Sequence, residues 1–174
     1  MERKELDDLL EKNFLNVNSW LNFAEAKNAA NIAFVVACIA AIFSIQNMNF
    51  LLYIVCNILI LSGLISMMSF FPRLGNVVDG FSDGFLKKRK KKENRENLFF
   101  FENIKKYAGD RYIKQVSKMY FDENDYIPTK YQIDLSDELV FNSNVASRKY
   151  RLFKITVCLD IIAFLLLAIF MILA

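Results

Sequence analysis

Three apolar stretches, residues 29–45, 50–71 and 155–174, dominate what this chain can become. Each approaches the ~20 residues that an α-helix needs to cross a ~30 Å hydrocarbon layer. The positive charge is distributed around them with one polarity. Of the 22 Lys and Arg residues, Arg3, Lys4, Lys12 and Lys27 precede the first stretch, and the other eighteen lie between the second and the third. The link 46–49 carries none, and neither does the C-terminal end. Basic loops are retained in the cytoplasm. The pattern predicts an all-α membrane protein with three spans, the N-terminus inside, the C-terminus outside and one cytoplasmic segment between spans two and three. The bacterial inner membrane is the expected location.

Helical spacing extends beyond the spans. Leu6, Leu10, Phe14, Val17 and Leu21 recur at three- and four-residue steps, and nothing breaks the pattern before Ala29. An amphipathic cytoplasmic helix over residues 1–27 is therefore expected to run straight into span one. Residues 28–72 form a two-span hairpin, because the short link 46–49 forces antiparallel neighbours. Residues 73–95 form a basic linker containing the run 87–92, which fixes topology, binds anionic lipid or binds a phosphate. Residues 96–150 read as a cytoplasmic helical unit. One helix is expected from residue 96 until Gly109 ends it, a second is capped by Asp110, and a third begins after Pro128 and Thr129. No helix breaker follows Lys130, so the third is expected to be a stalk continuous with span three, residues 151–174.

Composition removes whole classes of chemistry. The chain has no histidine, and so lacks the commonest general base and metal ligand. Its three cysteines, Cys38, Cys56 and Cys158, sit far apart inside apolar runs and read as small buried hydrophobes. No Gly-rich phosphate loop, nucleophile elbow or metal-binding spacing occurs. The expectation is a protein that is not an enzyme and needs no cofactor or metal. The first 27 residues are charged and lack the pattern of a cleavable signal peptide. A net charge of +3 is too slight to indicate DNA or RNA binding.

Small residues line both hairpin helices: Ala26, Ala30, Ala33, Ala37, Ala40 and Ser44 in the first, and Ser62, Ser66 and Ser69 in the second. Such rows serve either packing within the hairpin or contact between copies. Two polar residues interrupt the apolar runs, Asn57 and Asp160. An acid in a membrane is costly unless it meets a partner or water; Asp160 is expected near Lys27 or Asn31, or on a pore lining. At the inner ends of the spans, Lys27, Arg73, Arg148, Lys149 and Arg151 form a cationic ring. That ring is either an ordinary headgroup collar or an anion pocket, with Asn97 and the aromatics 99–101 beside it.

These residues also carry a family resemblance. Ala26-Lys27-Asn28-Ala29 at the entrance to span one, Phe71-Pro72-Arg73 at the exit from span two, Asn97-Leu98-Phe99-Phe100-Phe101 in the cytoplasmic part and Ser147-Arg148-Lys149-Tyr150 before span three occur in a characteristic order. In that order, over residues 20–174, the chain resembles the membrane effectors of bacterial Pycsar anti-phage defence. The related two-span effectors of second-messenger operons share the plan of hairpin plus cytoplasmic helices. The resemblance implies an effector that a cyclic nucleotide triggers during infection to disrupt the membrane. It points to Lys27, Arg73, Asn97, Arg148, Lys149 and Tyr150 as ligand-binding candidates. Asn57 and Asp160 are the candidates for rearrangement in the membrane, and a homo-oligomer is the expected assembly. A scaffold that recruits a soluble partner through its cytoplasmic helices is the alternative.

Overall fold

A computed structural model describes residues 3–45, 49–71 and 97–173. Over those residues the chain is all-helical: α1 (Arg3–Phe43), α2 (Phe50–Met68), α3 (Phe101–Ile104), α4 (Gly109–Phe121) and α5 (Lys130–Leu173), with no strand among them. The expected all-α class is borne out, and α1, α2 and α5 are each long and apolar enough to cross a membrane. Arg73, the basic run 87–92 and the link residues 46–48 lie outside the described residues. Helix α1 is unbroken for 41 residues and α5 for 44. Neither contains Pro or Gly, so nothing removes a backbone donor or loosens the chain along its course. At 1.5 Å per residue α5 is ~66 Å long.

The chain forms two compact units, Met1–Leu21 with Pro72–Ser147 and Asn22–Phe71 with Arg148–Ala174. In the first, Leu6, Leu10 and Val17 of α1 are buried with Leu98, Ile104, Tyr112, Ile113, Val116 and Leu139. Burying each such side chain from water contributes about 1.5–3 kcal/mol. The α1 seam differs from the expected one at two positions: Asn13 is buried in place of Phe14, and Leu21 is only partly buried. The Asn13 Nδ2 donates to Leu98 O at 3.1 Å and to the Tyr112 hydroxyl at 2.5 Å. The Tyr112 hydroxyl itself donates to Leu98 O at 2.8 Å, and burial raises the pKa of the phenol. Tyr112→Phe should therefore remove the hydroxyl's bond to the Leu98 carbonyl and one of the two acceptors of the Asn13 amide, leaving the Asn13–Leu98 bond in place. The expected loss is about 1–2 kcal/mol, read as a lower midpoint in denaturant unfolding of the detergent-solubilised protein.

The helix expected from residue 96 to Gly109 is instead a turn followed by the single turn α3. Asn97 explains the difference: its Oδ1 accepts the Phe99 N–H at 2.9 Å, and its backbone oxygen accepts from Phe100 N at 3.2 Å and Asn103 Nδ2 at 3.2 Å. Local bonds of this kind compete with helix propagation. Gly109 begins α4 rather than ending its predecessor, and Ala108, not Asp110, occupies the N-cap position. The α5 start matches expectation and is a capping box. Thr129 Oγ1 accepts the Gln132 N–H at 3.3 Å, while Gln132 Oε1 accepts the Thr129 N–H at 2.9 Å. Gln132 Nε2 also donates to Asp7 on α1 at 2.7 Å. Across α3 and α5, Ser147 Oγ donates to Glu102 at 2.6 Å and accepts from Lys105 Nζ at 2.5 Å, and Lys105 pairs with Glu102 at 2.7 Å.

In the second unit α1 and α2 are antiparallel. Asn31 reaches Ser62 and Ser66, while Val35 and Ile42 share a core with Leu59, Val55 and Leu52. Asn49 caps α2, its side chain accepting the Leu52 N–H at 3.0 Å. The two rows of small residues separate in the structure. Ser62, Ser66 and Ser69 are buried, whereas Ala26, Ala30, Ala33, Ala37, Ala40 and Ser44 are exposed. Packing within the hairpin thus uses the serine row and leaves the alanine row facing outward. The cysteines also differ from one another: Cys56 is buried, Cys38 partly so and Cys158 exposed. The reading of all three as buried hydrophobes therefore fails at Cys158, whose position on α5 turns it out of the bundle.

Candidate functional site where the three long helices meet

Three helix segments meet at one end of the second unit, and charge decides how. Lys149 on α5 is buried, only 8% exposed. Its ammonium donates to Glu25 Oε1 on α1 at 2.8 Å and to the backbone oxygen of Ser69, just past α2, also at 2.8 Å. The ring of Phe70 lies 5.5 Å away, close enough for a cation–π contact. One side chain therefore ties all three helices. The Ser69 oxygen is available because it lies at a helix C-terminus, where carbonyls lack intrahelical donors and the helix dipole favours a cation. Asn28, fully buried, closes the same corner from α1: its Nδ2 donates to Ala24 O at 2.8 Å and to Lys149 O at 3.3 Å.

Lys27 is engaged differently. Its Nζ sits 4.5 Å from the Phe23 ring centroid and 5.4 Å from those of Tyr150 and Phe153. Three π-faces around one ammonium replace part of its hydration. The structure thus brings together Lys27, Lys149 and Tyr150, with the partly buried Arg148 beside them in sequence. Asn97 belongs to the first unit, where it makes the turn described above. Arg73 lies outside the described residues. The Ser147-Arg148-Lys149-Tyr150 run takes on a physical meaning: Ser147 anchors Glu102 and Lys105, Lys149 ties the membrane helices and Tyr150 forms a wall beside Lys27.

The membrane candidates are placed as follows. Asn57 is exposed and donates to Tyr53 O of its own helix at 2.8 Å. Asp160 is buried, and among the described residues no hydrogen bond or ion pair joins it to Lys27 or Asn31. Lys27 holds its ammonium at the level of Phe153, seven residues or ~10 Å before Asp160 along α5. Long cationic side chains reach toward the interface rather than inward. Asn31 directs its amide to Ser62 Oγ at 3.3 Å and Ser66 Oγ at 3.0 Å, and Ser62 Oγ donates to Thr156 O at 3.4 Å. Among the described residues no cluster of carboxylates and thiols could hold a metal ion.

Sequence reasoning missed Glu25, Asn28, Asn31 as a bridge to the α2 serines, and Thr156. A signal for Glu25 was present, since it is the acid nearest the entrance to span one and three basic residues cluster before span three. A partner for Lys149 had to come from somewhere. Asn28 and Asn31 stand three apart on one helical face, which is the mark of a polar seam in an otherwise apolar helix.

No curated protein and no solved structure matches the chain. The family model of the Pycsar effector protein domain matches residues 9–174, nearly the whole length. With three helices of membrane-spanning length and a corner tied by charge, the chain belongs to the Pycsar effector family, the transmembrane effectors of anti-phage defence.

Proposed function

We propose that this protein is a non-enzymatic effector of the bacterial inner membrane, activated by a cyclic nucleotide to disrupt membrane integrity. Its N-terminus lies inside and its C-terminus outside, a reading that the distribution of basic residues supports. The family match over residues 9–174 carries the reading. The Lys149 contacts supply a trigger: a phosphate competes with Glu25 for the same ammonium through charge-assisted hydrogen bonds. Lys27, Arg148 and Tyr150 stand near enough in the same unit to take part, and anionic lipid headgroups compete for the same cations. A ligand shifts the protein only as far as its affinities for the two states differ. Binding that needs a released Lys149 therefore favours the untied bundle. The outward alanine row on α1 supports a homo-oligomer, because small residues let a second copy's helix approach closely in lipid.

The test is dye release from liposomes containing the full-length protein, with cyclic mononucleotides and dinucleotides added singly. Release with one of them, together with growth arrest when the protein is expressed beside its cyclase, is the expected result. An intact membrane under every nucleotide, with a soluble protein co-purifying in stoichiometric amount, would instead establish the scaffold reading.

A further inference from the structure

The three helices of the second unit meet along a seam whose chemistry changes partway across. On α5 the buried positions are Lys149, Thr156, Asp160 and Ala163, spaced at three, four and seven so that they share one face. The inner half of this seam is polar: Asn31, Ser62 and Ser66 are hydrogen-bonded to one another and Ser62 to the Thr156 carbonyl, all of them buried. Asp160 follows one turn beyond Thr156. It is only 6% exposed, and its Oδ1 has no hydrogen-bond partner among the described residues. One turn further the seam is apolar and incompletely filled. A groove of about 260 Å³, open to the surface on one side, lies there among Cys38, Ile42, Val55, Leu59, Ala163 and Leu167, with the exposed Phe164 and Met171 at its rim.

Packing alone does not explain this arrangement. A carboxyl group inside a membrane bundle is costly unless it is paired, and a leucine at position 160 would suit an apolar seam better. Rules of local fit are broken chiefly where function requires it.

We propose that the seam is a route for small monovalent cations through one three-helix bundle, with Asp160 setting charge selectivity. The inference rests on the membrane-disruption reading and names the permeant species and its path. Side-chain and carbonyl oxygens of Asn31, Ser62 and Thr156 stand in for part of an ion's hydration shell, and the acid favours cations over anions at close quarters. The apolar stretch around Ala163 and Leu167 is the gate. It excludes water while closed, and the groove between its helices lowers the packing that must be lost when it widens. Lys149, about 16 Å before Asp160 along α5, holds a positive charge at the inner mouth and opposes cation entry for as long as Glu25 and Ser69 retain it.

The experiment uses full-length protein in planar bilayers under a KCl gradient, opened by the active nucleotide or by the Lys149→Gln substitution. The wild-type current is expected to prefer cations several-fold, Asp160→Asn to lose that preference and Asp160→Lys to prefer anions. Ala163→Phe, which fills the groove beside the seam, is expected to abolish the current in a folded protein. A readout that needs no trigger accompanies these: Asp160→Leu is expected to raise the melting temperature in detergent while abolishing the current. A current with the same reversal potential in wild type and Asp160→Asn overturns the proposal and leaves membrane disruption standing. A lower melting temperature for Asp160→Leu overturns it too, by making the acid a structural partner. The absence of current under every condition overturns both readings.

Discussion

Replacing Lys149 with glutamine is expected to produce an effector that needs no signal. The lysine contacts α1, the end of α2 and α5 at once, through Glu25, the Ser69 carbonyl and its own helix. Glutamine is shorter and uncharged, so it cannot span both contacts. Glu25 is substantially exposed, with 44% of its side chain accessible, so the ion pair itself contributes little. The larger loss is the nearly buried ammonium's bond to the Ser69 carbonyl, and the total cost is about 2 kcal/mol. In liposomes the variant should release dye without nucleotide and respond little when nucleotide is added, because the group that senses phosphate is gone. In cells it should arrest growth without phage. Arg151→Gln is a suitable control, since Arg151 is exposed; it should leave the resting membrane intact. A Lys149→Gln protein that stays closed and still responds to nucleotide would show that the trigger lies elsewhere.

The second large effect is expected in the first unit. At Gly109 the backbone of α4 lies against α5 with no room for a side chain. A methyl group there would stand 2.6 Å from the Asp137 backbone nitrogen and would press on the Asp137 carboxyl group. The Gly109 N–H also donates to Asp137 Oδ1 at 3.1 Å, which supplies a partner to one of the unsatisfied amides at the start of α4. Gly109→Ala must push the two helices apart and break that bond. The expected cost is about 3 kcal/mol, combining overpacking with the lost hydrogen bond. Asp137→Ala loses only the bond and should cost about 1 kcal/mol. Thermal unfolding of the three proteins in detergent measures both differences. Equal losses for the two variants would mean that close approach at Gly109 contributes nothing.

Gly109 also illustrates what a sequence conceals. A glycine after a run of helical spacing is ordinarily a stop signal, and here it begins a helix instead. Its role depends on Asp137, 28 residues away, and no local pattern contains that information. Asn97 is the converse case: its turn-forming bonds are local, with Phe99 and Asn103, and could have been anticipated from the residue type. At Asn13 the hydrophobic periodicity was right to within one position. An asparagine took the seam because Tyr112 and the Leu98 carbonyl present polar groups to it across the unit. The candidate site was legible in its residue types and only partly in its contacts. Lys27, Lys149 and Tyr150 do come together, but Lys27 is held by aromatic rings and Lys149 by Glu25, which lies 124 residues away.

The amino-acid sequence by itself determined that the chain is helical and has three helices of membrane-spanning length. Apolar runs of this length in lipid leave the backbone no partners but its own, and the absence of Pro and Gly makes α1 and α5 continuous. Only the tertiary structure decided which polar groups pair, which row of small residues faces inward and that Asp160 Oδ1 has no partner among the described residues. Those outcomes depend on how each helix is rotated and offset against its neighbours. Rotation and offset follow from the fit of whole surfaces, because within the membrane no single apolar side chain gains enough by burial to set them.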